Sequence, residues 1–148
     1  MKLAKFGGSS VASAERIKHV IENILIPDPD LKYVVFSTFG KKDSNDIKIT
    51  DQLEKIASQY FYHNEYPTEN INKIKNKYYN ETKELGLDTG FLDEIFKELE
   101  EIIKRKSSDF NKYYAAIVAQ GERMFVSIPV EYLKSRGISA VAVYPEKC

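Results

Sequence analysis

Apolar positions along the chain switch between two spacings, and the switches mark out its elements. Residues 3–6 form a short, mostly apolar run stopped by Gly7-Gly8 and Ser9-Ser10, the pattern of a strand entering a tight glycine turn. Over residues 13–26 the period lengthens. Ile17, Val20, Ile21, Ile24 and Leu25 fall at i, i+3, i+4, i+7 and i+8, one face of a helix that Pro27 and Pro29 end. Residues 33–37 carry Val34-Val35-Phe36 without alternation, which predicts a second strand buried on both faces.

Residues 38–49 are polar around Gly40, Lys41, Lys42 and the Asp43-Ser44-Asn45-Asp46 cluster, and are expected on the surface. Thr50 then reads as the N-cap of a helix carrying Leu53, Ile56, Ala57, Tyr60 and Phe61. Two further helices are predicted, at 68–85 with Gly86 as its C′ residue and at 88–106. Asp109 caps another that ends near Gly121; residues 122–136 read as the last helix and 138–144 as a third strand. Pro129 lies inside that last helix, where it removes one backbone bond and should kink or restart it.

The order β-α-β, several helices, then α-β predicts an α/β fold. A mainly parallel sheet is flanked by helices, with a helical insertion at about residues 50–120. The middle of that insertion, residues 68–106, is rich in Lys, Glu, Asn and Tyr; its charges read as a solvated face with no chemical role. All three predicted strands look doubly buried, so their edges call for further chain or for self-association.

Composition narrows the function classes. The chain has 148 residues, 43% of them hydrophobic, enough for a core of its own. Its 22 Lys+Arg balance 22 Asp+Glu with no strongly basic segment, which argues against a nucleic-acid face. The single cysteine, Cys148, excludes an internal disulfide. His19 and His63 have no Cys or carboxylate companions at ligand spacing, so no metal site is expected. With no apolar run of membrane-spanning length, a soluble, cytoplasmic protein is expected.

The stretch with most chemistry is Lys5-Phe6-Gly7-Gly8-Ser9-Ser10. A lysine at a strand end, two glycines, two hydroxyls and a following helix offer backbone N–H groups and a cation to an anion such as polyphosphate. The lysine precedes the glycines, so this is not the P-loop order. The same residues also describe a plain strand-to-helix turn beside a surface lysine.

Lys5-Phe6-Gly7-Gly8-Ser9-Ser10-Val11-Ala12 resembles the K-F-G-G-[TS]-S-[VL] signature of aspartate kinases in the amino-acid kinase family, with Ser9 where threonine is usual. Val34-Val35-Phe36-Ser37 with Gly40-Lys41, then Lys48-Ile49-Thr50-Asp51, is similar to the family's V-V-x-S-A-x-G-K and K-[VI]-T-D elements. Gln120-Gly121-Glu122, followed by Tyr132-Leu133 and Arg136-Gly137-Ile138, is similar to its G-E, YL and RGI elements.

The resemblance implies a partial amino-acid-kinase-like (carbamate-kinase-like) fold. It also implies transfer of the ATP γ-phosphoryl to the side-chain carboxylate of L-aspartate, giving 4-phospho-L-aspartate, the first step towards lysine, threonine and methionine. It assigns Lys5 to charge neutralisation in catalysis; Lys5, Gly7, Gly8 and Ser9 to phosphate binding; and Ser37, Thr50 and Glu122 to the amino-acid substrate. ATP and Mg2+ would serve the complete enzyme, with nothing bound covalently. Read from the residues alone, Ser37 also fits a strand end, Thr50 an N-cap and Glu122 a favourable first-turn glutamate.

The family's later F-x-R and R-G-G-S-D elements, its nucleotide-binding half and its regulatory ACT domains have no counterpart in the sequence. Residues 1–148 are therefore expected to be the N-terminal part of the catalytic domain, inactive alone and self-associating. The rival expectation is a non-catalytic phosphate-binding or assembly module of the same fold.

Overall fold

The computed structural model describes residues 1–144; Cys148 lies outside the described residues. Two strands, β1 (Lys2–Phe6) and β2 (Leu31–Phe36), pair in parallel, with Lys5 opposite Val35 and Phe6 opposite Phe36. Between them run a single 3-10 turn, Gly8–Val11, and the helix α1 (Ala14–Val20), which widens into a π-helical turn at Ile21–Leu25. Ser13 caps α1 by accepting from the Arg16 N–H, as a serine before an apolar-periodic run should. A parallel pair needs such a crossover to bring the chain back to the same end.

After β2 come α2 (Ile49–His63), α3 (Thr68–Glu84), α4 (Gly90–Lys104), α5 (Phe110–Val118), α6 (Gln120–Phe125) and α7 (Ser127–Ser135). Asp109 caps α5 by accepting from Asn111 and Lys112, and Gly86 closes α3 at φ 76°. α2 is the hub, packed against α3, α4, α5 and α6. Ile49, Leu53 and Ile56 of α2, Tyr78 of α3, Phe96 of α4 and Phe125 of α6 meet in one core. Each such buried side chain contributes about 1.5–3 kcal/mol of transfer free energy.

Four expectations are corrected. The strands are not doubly buried: Leu3, Tyr33 and Val35 are 68%, 57% and 47% exposed, on one bare face of the sheet. Only the other face is covered, where Phe6 stacks on Phe36 and Phe36 meets Phe125. Residues 138–144 form no strand, because no described residue offers them a ladder, and Val141 and Val143 stand exposed. Lys48, not Thr50, is the N-cap residue of α2; Ile49 is buried and draws the helix start two residues earlier. In the connection after β2, Thr38 and Phe39 are buried, while Lys41 to Asn45 and Lys48 are exposed.

The expected helix over 122–136 is two helices that meet at Val126. Pro129 sits in the first turn of α7, where its missing N–H would have had no helical partner, so the chain restarts ahead of it.

Candidate functional site

At the C-terminal ends of the two strands the backbone of the glycine turn touches the backbone after β2. Ser37 N–H extends the ladder by donating to the Phe6 carbonyl at 3.0 Å, and Gly40 N–H donates to the Gly8 carbonyl at 2.9 Å. A Cβ on Gly40 would lie 2.5 Å from the Gly8 carbonyl carbon, and one on Gly8 would lie 3.1 Å from the Thr38 oxygen. Gly40 is therefore required by close approach, and Gly8 is tightly fitted. Gly7 is different, with nothing within 4 Å of where its Cβ would stand, so its face of the turn opens to solvent. Arg16 clamps the arrangement, donating to the Ser9 carbonyl at 2.9 Å and to the Lys42 carbonyl at 3.3 Å.

These contacts gather Lys5, Gly7, Gly8, Ser9 and Ser37 at one end of the sheet. Lys5 is exposed and has no ion-pair partner among the described residues. The N–H groups of Gly8 and Ser9 open the 3-10 turn, where backbone donors have no partner within the turn itself.

The other candidates join through their neighbours. A Cβ on Gly121 would meet Leu53 Cδ1 at 3.1 Å and Thr38 Cγ2 at 3.4 Å. Thr38 follows Ser37, Gly121 precedes the exposed Glu122, and Leu53 lies one helical turn beyond Thr50. Residues beside Ser37, Thr50 and Glu122, from three separate segments of the chain, thus meet around Gly121.

Beneath the turn lies a buried ionic group that the sequence reading placed in solvent. Lys77 Nζ of α3 donates to Asp46 Oδ2 at 2.5 Å and to the Ala12 carbonyl at 2.7 Å. Glu81, one turn on, accepts from Ala14 N–H at 2.6 Å and from Lys42 Nζ at 3.2 Å. Burial alone would raise the Asp46 carboxyl, but hydrogen bonds from Lys42 N–H and Lys77 outweigh it and hold the group below the usual carboxylate range. Hydrogen bonding to Glu81 raises Lys42. An open polar groove of about 740 Å³ runs beside this group, lined by Ser13, Arg16, Lys42, Asp43 and Glu84 among others.

Gly40, Arg16, Lys77 and Tyr78 are what the sequence reading missed. Gly40 had a signal, a lone glycine closely following a strand. Arg16 and Lys77 are helical cations with nothing in their spacing to set them apart from solvated ones. Tyr78 lies on the buried side of α3, and a core tyrosine's hydroxyl carries no periodicity. Among the described residues no group of three His, Cys, Asp or Glu is placed to hold a metal ion.

No protein-family model matches the chain. Individual relatives do: Aspartokinase 3 of Bacillus subtilis is 32% identical over 146 residues, 99% of this chain and 32% of that protein. The chain is homologous to about a third of an aspartate kinase. The aspartate kinase of Clostridium acetobutylicum superimposes on it with a TM-score of 0.78 at 26% identity, over 89% of this chain and 29% of its own. Escherichia coli aspartokinase III, solved in complex with aspartate and ADP, shares the fold with a TM-score of 0.71 at 20% identity, over 91% and 29% of the two chains. The partial kinase-like α/β fold expected from the glycine-turn signature is therefore present, with a two-stranded parallel sheet.

Proposed function

We propose that residues 1–148 supply the phosphate turn and the aspartate side of an aspartate kinase, and that the complete enzyme makes 4-phospho-L-aspartate from ATP and L-aspartate. The observation that carries this reading is the meeting of the glycine turn with the backbone of Ser37 and Gly40 at one end of the sheet, with Thr38 packed beside Gly121 and Leu53, the near neighbours of Glu122 and Thr50. In open α/β sheets ligands collect at the carboxyl ends of parallel strands. The relatives, and the aspartate and ADP in the E. coli structure, support the choice of substrates.

In this reading a carboxylate oxygen of aspartate attacks the γ-phosphorus as the bond to the bridging β–γ oxygen breaks, and ADP leaves with the electron pair. The protein has little covalent work to do, so its contribution is placement and charge. Lys5 offsets the negative charge spreading over the transferring oxygens, and the N–H groups of Gly7 and Gly8 and the Ser9 hydroxyl hold them. Ser37 and Thr50 hold the amino acid, and Glu122 meets its α-ammonium. The open space at Gly7 suits an incoming phosphate, which a Cβ there would crowd. Mg2+ would arrive with the nucleotide phosphates, which commonly complete its coordination where a protein offers few carboxylates.

No helix among the described residues is long and apolar enough to cross a membrane. Copies of the isolated chain are expected to associate through the bare sheet face.

The reading is tested by trapping aspartyl phosphate with hydroxylamine. The complete protein carrying this chain should form hydroxamate from ATP and aspartate, and the 148-residue chain alone should not. Hydroxamate from the chain alone, or none from the complete protein, overturns it.

A further inference from the structure

α3 belongs to no motif of the candidate site, yet one of its side chains reaches both halves of the aspartate side. Tyr78 is fully buried, and its hydroxyl stands 3.0 Å from Thr38 Oγ1 and donates to the Gly121 carbonyl at 3.0 Å. Thr38 is the residue after Ser37, and Gly121 is the residue before Glu122. A single phenol thus bridges the backbone that carries Ser37 to the backbone that carries Glu122.

The surroundings make that bridge stiff. The Tyr78 ring packs edge-on against Phe39 at 5.0 Å and against Phe96 at 5.5 Å, so the hydroxyl is aimed by the core. A Cβ on Gly121 would sit tight against Leu53 and Thr38, and its absence lets the carbonyl and the threonine approach the phenol together. In this buried setting, removing the hydroxyl would deprive both Thr38 and Gly121 of a hydrogen bond.

We propose that Tyr78 is a positioning residue for aspartate, setting the separation of Ser37 from Glu122 through its hydrogen bonds to Thr38 and Gly121. It touches neither substrate nor phosphate. The inference rests on the aspartate-kinase reading above. It adds that the helical insertion takes part in recognising the amino acid and leaves the nucleotide side alone.

The test is Tyr78→Phe in the complete protein, which keeps the ring and its aromatic contacts and deletes only the oxygen. Loss of about one hydrogen bond's worth of positioning should raise KM for aspartate about tenfold while KM for ATP stays within twofold. Thr38→Val should raise KM for aspartate by less, since Tyr78 still reaches Gly121. The double variant should be no worse than Tyr78→Phe, because both changes cut one bridge. A purely structural role would lower Tm and leave both KM values unmoved, and that result in both single variants overturns the inference. Glu122→Gln separates the two levels. If it raises KM for aspartate while Tyr78→Phe does not, the site reading stands and this inference falls; if it leaves KM unchanged, the site assignment falls and takes this inference with it.

Discussion

Gly7 and Gly40 flank the same turn for opposite reasons. Gly40 is compressed between backbones, so Gly40→Ala forces the Gly8 carbonyl away from a Cβ that would sit 2.6 Å from its oxygen. We expect a loss of about 1–3 kcal/mol, read as a fall in Tm. Gly7 has φ −75° and ψ 170°, a conformation open to any residue, and free space in front of it. Gly7→Ala should leave Tm level or raise stability by about 0.4–1 kcal/mol through the unfolded chain, while lowering kcat by crowding the phosphate. A Gly7→Ala enzyme that is destabilised but fully active would make the turn structural only. Thr82 offers a second contrast at this scale, since it is buried and its hydroxyl has no partner among the described residues. Thr82→Val should be neutral or stabilising in a thermal melt, and a marked fall in Tm would mean the hydroxyl is used. The turn at Gly7-Gly8 after β1 was legible because paired glycines behind a short apolar run are a local signal. Gly40's clash with Gly8 was not, because it depends on two segments meeting in space.

Among the elements, the helices were legible to within about a turn, since an amphipathic period survives whatever packs against it. The exceptions have physical causes. Residues 138–144 read as a strand but have no partner to pair with among the described residues, and strand character cannot exist without a ladder. Val34-Val35-Phe36 cannot reveal from composition that Val35 faces outward, because burial is decided by what covers the face. α3 was the largest misreading. Lys77 and Glu81 are i, i+4 residues that look like a surface pair, yet they bind Asp46, Lys42 and the Ala12 and Ala14 backbone in the interior. Removing one member leaves a buried charge unpaired, so Lys77→Met should cost about 3–5 kcal/mol. The depressed Asp46 carboxyl contributes stability that is present above the ordinary aspartate value of about 4 and is lost as pH falls through its lower folded value. Thermal melts between pH 6 and pH 3 should show this loss, and Asp46→Asn should flatten it. An equally steep acid limb in Asp46→Asn would remove Asp46 from the account.

For the molecule as a whole, the sheet has one finished face and one bare one, and Lys5, opposite Val35, lies on the bare face. Leu3, Tyr33 and Val35 should make the isolated chain associate, which light scattering over a wide concentration range would register; a strictly monomeric mass throughout would count against it. The relatives share this arrangement over a third or less of their own length, so the catalytic claim belongs to the complete protein. Its most direct test is the turnover of Lys5→Ala. An exposed lysine contributes little to packing, but a cation that offsets charge in the transition state is worth about 10²–10³ in rate. The account predicts that Lys5→Ala in the complete protein lowers kcat for aspartyl phosphate formation by that factor, that Lys5→Arg restores only part of it, and that Tm does not move. Unaltered kcat in Lys5→Ala, or a variant that unfolds, would contradict it.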